Sequence, residues 1–199
     1  MIPRHLIIAA AAMLLVALVM GIYAWRMRGA PAATGMSQVD SRPVAPPASG
    51  PTEQVTLIVA YDDPGTLQAQ AARIPLPSGR QERAQELLRA LLAIYLAPSS
   101  SHALGPGSDI REVYLVDPGL AVIDLNAAFA DGHRSGILVE ELTVGSLVQT
   151  LSTNIPGLSR VKILVDGKER DTLAGHADLS GVYDVSAVGQ MTASLANSQ

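Results

Sequence analysis

Apolar and polar positions alternate along this chain in a small number of readable patterns. The densest is at the beginning: LIIAAAAMLLVALVMGIYAW, residues 6–25, runs for twenty residues without a formal charge. As a helix rising about 1.5 Å per residue it would span roughly 30 Å, the thickness of a bilayer's hydrocarbon core. Tyr23 and Trp25 stand at its end, where amphipathic rings favour the headgroup zone. Further on, VTLIVAY (55–61) is a short β-branched run that predicts a buried strand, broken by Asp62-Asp63-Pro64-Gly65. RIPLP (73–77) predicts at most a brief extended piece, because its prolines cannot complete a sheet ladder.

A helix is predicted next. Ala84, Leu87, Leu88, Leu91, Leu92 and Tyr95 recur on one helical face, Ser78 and Gln81 stand at capping-box spacing, and Pro98 ends it. Glu82, Arg83, Glu86 and Arg89 read as its solvated face. Two apolar runs at 110–116 and 120–125 flank Asp117-Pro118-Gly119, which fits a type II turn and so predicts an antiparallel hairpin. A second helix is predicted over 136–153, with Val144, Leu147, Val148 and Leu151 as its stripe and Asn154, Pro156 and Gly157 as its stop. VKILV (161–165) reads as a last strand before the turn at Asp166-Gly167. The order β-α-β-β-α-β predicts an α+β fold, a small mixed sheet with two helices packed on one face, preceded by one N-terminal transmembrane helix.

Composition divides the chain further. Residues 1–28 are read as a membrane anchor, 29–52 as a Pro/Ala/Gly/Ser-rich linker, 53–185 as the folded domain and 186–199 as a flexible tail. The linker holds almost no large apolar residue, so it cannot bury enough surface to offset the entropy of ordering it. A cleaved signal peptide is the rival reading of the start, with Ala30-Pro31-Ala32 as the cleavage pattern. The apolar run is longer than the usual signal core, and Arg26 and Arg28 separate it from that site. The sequence has no cysteine, which excludes a lipid-modified cysteine and any disulfide. Positive charge on the two flanks differs too little to orient the span, and leans slightly toward a cytoplasmic C-terminal domain.

Between residues 53 and 184 stand ten Lys and Arg against seventeen Asp and Glu, a net charge of −7. An acidic surface repels phosphate backbones, and no basic patch or stripe is present; nucleic acid is excluded as a partner.

The wording of several segments resembles the GerMN domain, a module named for spore germination and sporulation proteins. The matching pieces are VTLIVAYDD, RAQELLRALLA, the hairpin leading into IDLNAAF, and LTVGSLVQTLSTNIPGLSRVKILVDGK, in the family's order over nearly all of the folded part. The resemblance implies a non-enzymatic, extracytoplasmic domain held at the bacterial cytoplasmic membrane by its single N-terminal helix. It implies binding to other envelope proteins or to copies of itself, with peptidoglycan or another glycan as the alternative ligand. Two departures stand out: the lipoprotein cysteine common in such proteins is missing, and there is one copy of the domain. Arginine outnumbers lysine twelve to two, the usage of a GC-rich genome, which argues against a role in spores.

Candidate chemistry is thin. Asp124, Asp131 and His133 are conceivable metal ligands, but their spacing matches no known ligand set, and a site needs three or four converging donors. His102 and His176 lie in Ser- or Gly-rich loops with no evident partner. Ser146 and Ser152 have neither a recognisable base nor a nucleophile elbow, and Glu140-Glu141 suit the start of a helix dipole. No catalytic residue, metal or cofactor is therefore expected, and a periplasmic hydrolase is the least favoured reading. Asp124 and Asn126 are expected to fix the exit from the hairpin. Phe129, the one phenylalanine, is expected to plug the core or, alternatively, to anchor an interface.

Overall fold

The computed structural model describes residues 50–116 and 118–197. The expected anchor (1–28), nearly all of the linker and the turn residue Asp117 lie outside the described residues. Among those described, no helix is long and apolar enough to cross a membrane.

The fold is α+β, with two sheets rather than the single one expected. Strands β1 (Thr52–Tyr61) and β2 (Thr66–Pro75) form an antiparallel hairpin in continuous register, Thr52 opposite Pro75 through Tyr61 opposite Thr66. The second sheet has the order β3-β4-β5-β6. In it β3 (Ile110–Val116) and β4 (Leu120–Leu125) are the predicted hairpin, β5 (Arg160–Val165) runs parallel to β4, and the short β6 (Tyr183–Asp184) closes antiparallel on β5. Gly119 takes a left-handed φ of 72° in the β3–β4 turn, as a type II turn requires of its third residue.

Four helices complete the described structure: α1 (Arg80–Tyr95), α2 (Ala127–Asp131), α3 (Ile137–Asn154) and α4 (Val185–Asn197). The stripe Ala84, Leu87, Leu88, Leu91, Leu92 and Tyr95 on α1 is buried, as its spacing dictates. It meets a core built from Leu57 and Val59 on β1, Val113 on β3, Ile123 and Leu125 on β4, and Leu147, Val148 and Leu151 on α3.

Four expectations need correction. First, β2 is ten residues long, not a fragment at 73–77. Its sequence TLQAQAARIP has little β-branched content, so pairing with the apolar β1 creates the strand, and Pro75 merely ends it. Second, residues 186–197 are not a frayed tail but most of α4. Asp184 accepts from the N–H groups of Ser186 (2.8 Å) and Ala187 (3.2 Å) at its start, and Val188 is buried. A Cβ on Gly145 would stand 2.7 Å from Thr192 Cγ2, so a glycine in α3 is what lets α4 lie so close. Third, no capping box starts α1: Gly79 is the N-cap, and the Ser78 N–H and hydroxyl donate to Glu82. Fourth, the charged face of α1 is only partly solvated, since Arg83 bonds Glu53 and the Asn154 carbonyl.

Candidate functional site

Edge strands need their outward N–H and C=O groups satisfied or protected, and this domain closes two edges with helix side chains. On the inner edge of β1, the Thr56 N–H donates to Asn154 Oδ1 (3.3 Å) and the Ile58 N–H to Thr150 Oγ1 (2.9 Å). The Ala60 N–H donates to Tyr95 Oη (2.9 Å). In return, Asn154 Nδ2 donates to the Thr56 carbonyl (2.7 Å) and the Ser146 hydroxyl to that of Ile58 (2.6 Å). Ser146, Thr150 and Asn154 follow one another at four-residue spacing on α3, so a polar helix stripe stands in for a strand. Burial pushes the Tyr95 phenol up to about 12, despite its hydrogen bonds to Ser146 and Ala60, so it stays neutral. On β3, Gln81 performs the same closure, donating to the Val113 carbonyl and accepting from Leu115 N–H (3.0 Å).

The outer edge of β2 is different. Residues in an antiparallel pair exchange hydrogen bonds at alternate positions. Because Thr56, Ile58 and Ala60 turn their N–H groups toward α3 and α1, it is Leu57, Val59 and Tyr61 that bond β2. This directs the N–H and C=O groups of Leu67, Ala69, Ala71 and Arg73 outward. Among the described residues no strand pairs with that edge. Residues 68–71 are exposed, and Thr66 to Ala72 carry no charge.

A second cluster is buried. Thr143 on α3 and His102, in the segment between α1 and β3, are at most 1% exposed, and His133, between α2 and α3, is 7% exposed. His102 Nδ1 lies 2.6 Å from Asp62 Oδ1 and its Nε2 2.7 Å from Thr143 Oγ1. His133 Nε2 lies 2.7 Å from the same hydroxyl, and its Nδ1 2.7 Å from the Arg134 carbonyl. The Arg134 guanidinium caps the other Asp62 oxygen. Tyr95 meets the His102 ring edge-on at 4.9 Å between centroids, and Phe129, 1% exposed, stacks on His133.

Asp62, His102 and Thr143 thus stand in the acid–imidazole–hydroxyl order of a nucleophilic triad. The hydroxyl is fully buried, and a second imidazole occupies its open side. As arranged, the array has no room for a substrate carbon. Burial pushes the imidazoles of both His102 and His133 below the ordinary value, the Asp62 carboxylate opposing this at His102 and the Arg134 carbonyl at His133.

The residues singled out in the sequence are held apart. Asp124 accepts from the Gly167 N–H (2.7 Å) and faces Arg111. Asn126 caps α2 by accepting from Phe129 N–H (2.9 Å), while also accepting from Asp109 N–H and donating to the Gly107 carbonyl. Asp131 pairs with Arg170 at 2.8 Å, and Ser152 donates to the carbonyl of Gln149. Among the described residues no three His, Asp or Glu side chains gather as a metal would need. His176 meets Glu140, whose buried carboxylate also accepts from the N–H groups of Gly136, Ala174, His176 and Ala177. Burial pushes that carboxyl up, but the bonds from Ala177, Ala174 and His176 outweigh it and hold the pKa at about 2.

Neither the Asp62–His102–Thr143–His133 cluster nor the two edge closures was foreseen from the sequence. The one available signal was T-x2-S-x3-T-x3-N, a polar stripe at helical spacing inside the apolar 142–154 segment.

Hairpins laid against two long helices define a small mixed α+β domain. A family model described as "Germane: Sporulation and spore germination" matches residues 58–171, more than half of the sequence, and the chain belongs to that family. The tandem GerMN domains of the sporulation protein GerM from Bacillus subtilis are similar in fold, with a TM-score of 0.50 at 19% identity. That match covers 67% of this chain and 46% of the other. The first GerMN domain of the same protein matches 64% of this chain and 92% of its own length, at 18% identity and a TM-score of 0.44. A comparison with curated proteins gives no match.

Proposed function

We propose that this protein is a non-catalytic, membrane-anchored domain on the extracytoplasmic side of the bacterial cytoplasmic membrane. It binds another envelope protein, or a second copy of itself, by strand addition along the outer edge of β2. One observation carries the reading: the fold closes the edges of β1 and β3 with side chains from α1 and α3, yet leaves residues 68–71 of β2 exposed with no strand beside them among the described residues. Between Thr66 and Ala72 that edge carries neither charge nor proline, the usual devices against pairing, which β2 has only at its end in Arg73 and Pro75. The buried Thr143 hydroxyl supports the absence of catalysis, and membership of the family supports the envelope setting.

The test is Ala71→Pro. Its N–H points away from β1, so proline removes an outward donor without breaking the hairpin ladder. Sedimentation velocity over a range of concentrations, alone and with candidate envelope partners, should show association that the variant loses while its circular dichroism is kept. Binding to isolated sacculi that Ala71→Pro leaves intact would replace this reading with glycan binding.

A further inference from the structure

The buried histidine cluster has a proton count that does not close when both rings are neutral. Asp62 Oδ1 and the Arg134 carbonyl are acceptors, so His102 Nδ1 (2.6 Å) and His133 Nδ1 (2.7 Å) must both donate. A neutral imidazole has one N–H. Both Nε2 atoms are then acceptors, and both lie 2.7 Å from one Thr143 hydroxyl that has one proton to give. One of those two contacts sets lone pair against lone pair. Using the other tautomer of either ring only moves the conflict to Asp62 or to Arg134.

A single proton from solvent resolves it. With His102 as imidazolium the bonds run in one direction: His102 Nδ1–H to Asp62, His102 Nε2–H to Thr143 Oγ1, the Thr143 hydroxyl to His133 Nε2, and His133 Nδ1–H to the Arg134 carbonyl. Turning the hydroxyl reverses the two middle bonds and moves the charge to His133. The Thr143 hydroxyl can also donate to the Val139 carbonyl at 3.0 Å, but that oxygen already has a helix N–H, whereas His133 Nε2 has no other donor; with the cluster singly protonated the hydroxyl turns to His133. A second proton changes the balance. Two imidazoliums with centroids 6.2 Å apart would share one buried oxygen, beside the Arg134 guanidinium. Opposing them are Asp62, already paired with Arg134, and Glu140, committed to the 174–177 segment. Tyr95 on α1 is neutral.

We propose that Asp62, His102, Thr143 and His133 form a two-step acid latch: the chain takes up one proton, shared between the imidazoles through the Thr143 hydroxyl, without opening, and opens on the second. The latch fastens the β1–β2 turn, the α1–β3 segment and the α2–α3 segment to α3. Burial disfavours charge on both imidazoles, and it is the second proton, which makes both rings cationic, that the fold binds less tightly than the unfolded chain. The latch's contribution is therefore lost as the pH falls through a second step below the ordinary imidazole value, about 6.5. The first proton costs little, since it completes the chain, and the second carries the loss.

Histidine-labelled full-length protein in detergent micelles, titrated by nuclear magnetic resonance, tests this. His102 and His133 should shift together in a first step worth one proton for the pair. A second step, more than about one pH unit lower, should coincide with exposure of the backbone around both rings. Thr143→Val should split the first step into two unrelated titrations. His133→Gln, which keeps a donor for the Thr143 oxygen but cannot ionise, should move the acid opening to lower pH or abolish it. Independent one-proton titrations of the two rings in the unmodified protein would overturn the latch, as would an acid opening that His133→Gln leaves in place. The proton count in the unmodified protein decides even if Thr143→Val does not fold.

Discussion

Thr150→Val isolates the claim that a helix replaces a strand at the inner edge of β1. Valine is nearly isosteric with threonine and more apolar, so an account resting on packing alone predicts no loss or a slight gain. The hydrogen-bond account predicts the opposite. Thr150 is fully buried and its hydroxyl is the partner of the Ile58 N–H at 2.9 Å, whereas the Ile58 carbonyl keeps Ser146. Leaving that N–H unsatisfied costs about 1–3 kcal/mol, and relief of the buried hydroxyl returns part of it, for a net loss of about 1–2 kcal/mol. At about 2–4 °C per kcal/mol for a domain of this size, the melting temperature should fall by about 2–8 °C. Thr150→Ser keeps the hydroxyl and removes one methyl, worth about 0.8 kcal/mol. Urea unfolding of residues 50–199, followed by far-ultraviolet circular dichroism, should rank the wild type first, then serine, then valine. A valine variant as stable as the wild type, or more stable than the serine variant, would refute the reasoning.

Glu140→Gln should cost about 3 kcal/mol at neutral pH, from a carboxyl depressed from 4.5 to about 2. The contribution is present above pH 4.5 and lost as the pH falls toward 2, so unfolding curves of variant and wild type should converge there and stay apart at pH 7. Gly145→Val should force α4 away from α3, because even a Cβ would stand 2.7 Å from Thr192 and 3.1 Å from Leu67. Limited proteolysis should then cut within 185–197 while the rest of the domain survives; an uncut segment would show that the close approach is dispensable. Asn126→Ala removes a cap that also ties down Gly107 and Asp109. It should cost about 1–2 kcal/mol in the same urea assay.

The parts of the fold legible in the sequence were those with a strong period. The α1 stripe from Ala84 to Tyr95 and the two runs around Pro118-Gly119 have one reading each, because the burial that shapes them is written in their own residues. β2 and α4 lack that property. Gln68-Ala69-Gln70-Ala71 becomes a strand only because β1 lies beside it, and the small residues of 185–197 form a docked helix only because Gly145 leaves room. The single-sheet expectation failed for a related reason. Nothing local says that Ser146, Thr150 and Asn154 will take the edge of β1, although their spacing could have been noticed. His102 and Asp62 are forty positions apart and meet on Thr143 through tertiary structure alone, beyond the reach of any motif.

The central claim is that β2 presents the binding edge, and site-specific photocrosslinking in intact cells tests it most directly. A photoreactive residue would replace Ala69 in the full-length protein, with Glu86 on α1 as the control position. The account predicts a discrete adduct from position 69, to one envelope protein or to a second copy of the chain, absent from position 86 and abolished by Ala71→Pro. Adducts from position 69 only to wall fragments or to cytoplasmic proteins, or equal yields from both positions, would contradict it.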